Sequence, residues 1–179
     1  MRKLRLLSVA IGLACSFVLG ACSPTGSESA GREIEFSGGT FLQTLNESSV
    51  TSAFAQMFSV AEPALELNPN AEYTLFVPVD SAIDLYLSSI GETLKSVLGN
   101  PELAKVLVLN HLFSEKMSGT NLLNKGVEPI TSLGGNQFSV VVSESFTEIK
   151  GTTETGAKII AIDIKSSNGI VHYVDAVLN

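Results

Sequence analysis

The stretch Tyr73-Thr74-Leu75-Phe76-Val77-Pro78-Val79-Asp80-Ser81-Ala82-Ile83-Asp84 reads as a buried strand that stops and hands over to a helix. Tyr73, Leu75, Phe76 and Val77 are the aromatic and branched residues that fill a pleated buried surface. Pro78 lacks an N–H and fixes its own φ, so the ladder is expected to end near it. Asp80 then sits where a carboxylate accepts orphan N–H groups at a helix start, and it is expected to cap the helix that follows.

Downstream of Asp80 the pattern is helical. Ala82, Ile83, Leu85, Tyr86, Leu87 and Ile90 are apolar nearly all round, which predicts a well-buried helix ending at Gly91. Leu94, Val97 and Leu98 form a further short turn closed by Gly99. Asn100-Pro101-Glu102 is a helix start, with Asn as N-cap, Pro at N1 and an acid in the first turn. Leu103, Val106, Leu107 and His111 then share a helical face. Thr120 to Leu123 suggests one more helical turn, stopped near Gly126.

Beyond it the period shifts to short strands between turns. They are expected at 129–133, 138–143, 146–150, 158–164 and 170–178, with imperfect alternation over 158–164. Gly134-Gly135-Asn136 and 151–156 mark turns, and Asn168-Gly169 is a hairpin-type turn supplying positive φ.

Upstream of Tyr73, Phe41, Leu42 and Leu45 begin helical spacing. A second helix is expected over 50–59, capped by Ser48 or Ser49, with Val50, Phe54 and Phe58 on one face. Pro63 is expected in the first turn of a separate short helix over 64–67, and Asn68-Pro69-Asn70 is a turn. Helices first and strands last predict an α+β domain, helices mostly in the first half and a small β-sheet wedge in the second.

The N-terminus has a different character. Arg2, Lys3 and Arg5 precede the apolar run Leu6 to Leu19, the pattern of an export signal over residues 1–21. That run is short for a bilayer-spanning helix, which needs about 20 apolar residues. Leu19-Gly20-Ala21-Cys22 resembles a bacterial lipoprotein lipobox, with Gly20 the one unusual choice. The resemblance implies cleavage before Cys22 and acylation of that cysteine, an anchor strengthened by about 0.8 kcal/mol per buried CH₂. Ser23 in place of Asp implies the outer membrane, if the cell has two membranes. Residues 22–35 are polar, Gly/Ser-rich and without periodicity, a flexible tether before a domain over 36–179.

Cys15 lies in the signal, so the mature chain keeps Cys22 alone and forms no intrachain disulfide. The fold must rest on core burial. Loss of the signal leaves 8 basic against 18 acidic residues, a net charge of −10. With no basic stripe to offset it, that charge argues against nucleic acid as a partner.

Two signatures resemble those of the fasciclin-type (FAS1) domain family. Thr74-Leu75-Phe76-Val77-Pro78-Val79-Asp80-Ser81-Ala82-Ile83 is similar to the first, departing at Val79. Asn168-Gly169-Ile170-Val171-His172-Tyr173-Val174-Asp175-Ala176-Val177-Leu178 is similar to the second. Between them Asn110-His111 matches the family's Tyr-His pair at the histidine alone. The resemblance implies a compact α+β wedge, a non-catalytic surface module, and a protein or glycan partner. The integrin role linked to the Tyr-His region in animal members has no basis here without the tyrosine.

The candidate site residues are therefore Cys22 for lipidation, and Thr74, Phe76, Pro78, Asp80, Ala82, His111, Asn168, Gly169, His172 and Asp175 as a structural motif. His111 is expected to bond the turn at 78–80. Asp175 is expected to accept from backbone or turn groups. The alternative is a small-ligand-binding or hydrolytic envelope lipoprotein using His111 and His172 with a carboxylate, but no G-x-S-x-G, H-E-x-x-H or C-x-x-C spacing supports it. No catalytic, cofactor or metal residues are assigned.

Overall fold

The structure is a computed structural model that describes residues 39–125, 128–151 and 156–179. The expected signal, Cys22, the tether and residues 36–38 lie outside the described residues, as do Gly126 and most of the turn over 151–156.

Among the described residues, six helices and seven strands follow in order: α1 (Phe41–Asn46), α2 (Ser52–Leu65), β1 (Tyr73–Pro78), α3 (Asp80–Ser89), α4 (Leu94–Leu98), α5 (Pro101–His111), β2 (Leu112–Phe113), α6 (Gly119–Lys125), β3 (Ile130–Thr131), β4 (Gln137–Val142), β5 (Thr147–Lys150), β6 (Ala157–Ser166) and β7 (Gly169–Val174). The strands form one sheet in the order β2-β1-β7-β6-β5-β4-β3. A bridge between Phe113 and Ser132 brings its two ends together, so the sheet curls toward a barrel. β1, from the helical first half, joins the strands of the second half in it. β1 runs parallel to β7, in register from Tyr73↔Gly169 to Pro78↔Val174, and antiparallel to β2.

β1 and β7 are buried along their whole length, as strands covered on two faces must be. The alternation of side chains then divides the core. Tyr73, Leu75 and Val77 of β1, with Val171 and Tyr173 of β7, face the helical layer. Phe76 and Val174 face the interior of the curl with Phe113, Phe138 and Ile149. Phe41, Phe54, Phe58, Phe76 and Phe113 are all fully buried. Each such side chain stabilises the fold by roughly 1.5–3 kcal/mol relative to exposure.

α2 runs through Pro63, where the sequence suggests a break. Phe54, Met57, Phe58, Ala61 and Leu65 form one continuous buried face. Packing along that face outweighs the hydrogen bond that Pro63 forfeits, and the helix stops two residues later, with Glu66 left-handed at φ 49°. Val50 is not part of that face but half-exposed. α3 is buried on one side only: Ala82, Ile83 and Leu87 face inward while Leu85 is 74% exposed. α5 begins as expected, with the Asn100 side chain accepting from Leu103 N at 3.3 Å and Pro101 at N1. Its buried face holds Ala104, Leu107, Val108 and His111, and Val106 turns to solvent.

Candidate functional site

The motif residues converge on the paired strands β1 and β7 and the segments that touch their ends. The sequence suggests that Asp80 caps the helix that follows it, and the structure differs. The N-cap of α3 is Val79, and Asp80 is the first helical residue. Its carboxylate reaches instead to the start of α2, accepting from Ala53 N at 2.8 Å and from the Ser52 hydroxyl at 2.7 Å. The N-cap of α2, Thr51, makes no side-chain capping bond, so Asp80 supplies that function from across the sequence.

His111 is also placed differently from expectation. Its ring bonds the C-terminal segment and not the turn at 78–80. Nδ1 donates to Leu107 O at 2.7 Å, and Nε2 accepts from Leu178 N at 2.9 Å. Val79 is the N-cap of α3, and the Asp80 carboxylate is committed to α2. Phe54 packs edge-on against the ring at 5.4 Å. Burial pushes its pKa down to about 4, against the opposing pull of the Leu107 carbonyl.

His172 is held in the same manner with the ring nitrogens exchanged. Nε2 donates to Met117 O at 2.7 Å, and Nδ1 accepts from Asp163 N at 3.1 Å. The ring stacks on Phe76 with centroids 5.3 Å apart. Burial lowers its pKa, while the Met117 bond and the Asp163 charge act in the opposite direction. Each histidine sits between one main-chain acceptor and one main-chain donor, an arrangement that fits a neutral imidazole of one tautomer.

The remaining motif residues fasten backbone as well. Thr74 donates its hydroxyl to Glu115 O at 2.6 Å and accepts from Met117 N at 2.7 Å, pinning the segment between β2 and α6. Asn168 accepts from Phe41 N at 3.0 Å and from the Ser166 hydroxyl at 2.7 Å. Gly169 has φ 151°, and a Cβ there would lie 1.9 Å from Tyr73 O. Close approach of β1 thus joins turn geometry in demanding glycine. Asp175 accepts from Lys158 N at 2.7 Å, next to the Asp175 N–H to Lys158 O bond. Ala82 is buried against this framework.

Sequence reasoning missed Asp163. It has φ 61° at an irregularity in β6, where the register with β7 shifts between Ala161 and Ile164. Its N–H bonds His172, and its carboxylate accepts from Gly119 N at 2.8 Å at the start of α6. The broken alternation over 158–164 is the signal that marks the bulge, though not its partners.

The two histidines do not meet. The space beside His111 is apolar, lined by Phe54, Met57, Pro78, Ile83, Leu107 and Val177 among others, without His172 or a carboxylate. Among the described residues no group of three or more His, Cys, Asp and Glu side chains is placed to hold a metal ion.

Curled sheet, helical layer and side chains spent on main-chain bonds define an α+β domain whose signature residues build the fold. Residues 49–179 match the fasciclin domain family, and the chain belongs to that family. It is 28% identical over 112 residues to the transforming growth factor-beta-induced protein ig-h3 of Sus scrofa, a match spanning 63% of this chain and 15% of that protein. A solved FAS1 domain pair from the insect cell adhesion molecule fasciclin I superposes with a TM-score of 0.67 at 18% identity, over 79% of this chain and 51% of that one. The second likeness shows the fold. The chain thus spans about half or less of the length of these relatives.

Proposed function

We propose that this chain is a lipid-anchored interaction module of the cell envelope, held through Cys22 and a tether over 22–35, whose domain over 36–179 binds a protein or glycan without catalysing a reaction. The observation that carries this reading is the state of its polar motif. His111, His172, Asp80 and Asp175 are each committed to main-chain groups, so the residues best suited to acid–base chemistry act as fasteners. Binding then falls to the outer surface. The relation to an insect cell adhesion molecule supports the same class of role.

Two measurements test it on the full-length chain. Mass spectrometry of the envelope-bound protein is expected to find an acylated Cys22 at the N-terminus, and Cys22→Ala is expected to release the protein from the membrane fraction. Cross-linking in intact cells, with identification of the conjugate, is expected to recover one defined surface protein or glycan. A chain that stays unacylated defeats the anchor. Turnover of a small-molecule substrate, abolished by His111→Gln or His172→Gln in a folded variant, defeats the non-catalytic reading.

A further inference from the structure

The C-terminal segment leaves β7 at Val174 and continues as loop to Asn179. Asp175 fixes its start through the paired bonds with Lys158. Further along, the Leu178 N–H donates to His111 Nε2 while the Leu178 side chain is buried in the cluster of Phe76 and Phe113. The Leu107 carbonyl can only accept, so it holds the ring proton on Nδ1 and leaves Nε2 as the bare acceptor. Adding a proton to Nε2 would set two N–H groups against each other. It would also create a buried cation whose surroundings are Phe54, Met57, Pro78, Ile83, Leu107 and Val177.

We propose that His111 is an acid-sensitive clasp: protonation at Nε2 expels the Leu178 N–H and releases the segment over 176–179, opening the apolar space that Val177 helps to line. Docked segment and imidazolium exclude each other by geometry. Among the described residues no Asp, Glu, Lys or Arg side chain lines that space. Among the described residues lining that space on α2, α3, the end of β1, α5 and the C-terminal segment, Tyr86 is the one titratable side chain besides His111. Asp175 lies on the same segment, but its carboxylate is occupied by Lys158 N. Asp80, two residues after Pro78, is occupied by α2. His172 differs, because the Asp163 carboxylate favours its charged form.

The size of the effect follows from linkage. With the docked ring titrating at about 4 and a solvated ring at the ordinary 6.5, the released population rises about ten-fold for each pH unit lost in between. Hydrogen exchange on the full-length chain, normalised for intrinsic rates, reads this directly. Protection over 176–179 is expected to fall about ten-fold per pH unit from 6.5 toward 4, and at each pH to lie well below that of the β1 amides, which exchange only when the whole fold opens. His111→Gln supplies a carbonyl acceptor that does not titrate, and is expected to make that protection independent of pH. Asp175→Asn and His172→Gln are expected to leave the dependence in place.

Protection over 176–179 that ignores pH overturns the proposal. So does protection over 176–179 that equals that of β1 at every pH, since both then exchange by global unfolding. Abolition of the dependence by Asp175→Asn also overturns it. Should His111→Gln fail to fold, the ring ¹⁵N signals of the unaltered chain decide: the His111 Nδ1–H tautomer must disappear in step with the loss of protection, and a mismatch sinks the clasp.

Discussion

Asp80, the first residue of α3, accepts the Ala53 N–H of α2 at 2.8 Å, 27 positions back in the chain. The bond joins the point where β1 ends to the point where α2 begins. The Asp80 N–H reinforces it by donating to Val50 O at 2.9 Å. One residue therefore fixes both the exit of β1 and the entry of α2.

Asp80→Ala is expected to lower the free energy of unfolding by about 1 kcal/mol, the usual cost of a lost helix cap. Asp80→Asn keeps one acceptor and is expected to lose less. Urea denaturation followed by circular dichroism checks both. A variant as stable as the original would show that the Ala53 N–H is satisfied equally well by water.

Thr74 carries a larger share. Its hydroxyl serves Glu115 O and Met117 N at once, and the residue is fully buried. Thr74→Val keeps the shape and leaves Met117 N and Glu115 O without that partner, at a cost of roughly 1–3 kcal/mol for the buried Met117 N–H and less for Glu115 O, which belongs to an exposed residue. Thr74→Ser restores the hydroxyl and is expected to recover most of the loss. Equal denaturation midpoints for the Val and Ser variants would contradict this account.

These two residues also show what was legible in the sequence and what was not. The apolar run 73–77 and the stop at Pro78 announce a buried strand, because burial and φ restriction are local properties. Asn100-Pro101 announces α5 for the same reason. The spacing after Pro78 likewise marks Asp80 as an acceptor for orphan helix N–H groups. Which helix it serves depends on a packing that joins positions 27 apart, and the local pattern favours the wrong one. The partner of His111 lies 67 residues away at Leu178, so helical periodicity could place the ring inward without naming what it meets. Pro63 misleads in the opposite direction. Its local preference for a helix start is overridden by an apolar face that only the tertiary fold rewards. Asp163 is invisible for a related reason: a bulge is set by the register of two strands, and one strand's composition does not encode it.

Glycine substitutions separate close approach from backbone strain. Gly91 has φ 73° with open space around the position of a Cβ, whereas at Gly169 a Cβ would meet Tyr73 O at 1.9 Å. Gly91→Ala is expected to cost about 1–2 kcal/mol, the penalty for a left-handed L-residue. Gly169→Ala adds a clash with the backbone of β1, where overpacking typically costs a further 1–3 kcal/mol. It is expected to melt well below Gly91→Ala or to fail to accumulate as folded protein. Similar melting temperatures for the two variants would show that β1 can move away from β7.

Acid is expected to weaken the whole fold through both histidines. Burial holds His111 and His172 below their ordinary pKa, so in mild acid the unfolded chain binds protons that the folded chain refuses. Their contribution is fully present above about pH 6.5 and is lost as pH falls below it. For His111 the loss is about 1.4 kcal/mol per pH unit until its folded value near 4 is reached, and His172 adds a loss of the same sign. Urea denaturation at half-unit steps from pH 8 to 4.5 measures the slope. His111→Gln in a folded variant is expected to flatten it by one histidine's worth, and His172→Gln by less, because the Asp163 charge offsets part of the His172 shift. A free energy of unfolding that stays level between pH 7 and 5 would mean that both rings take up protons as readily in the folded chain as in the unfolded one. That outcome is incompatible with rings wedged between a main-chain donor and a main-chain acceptor.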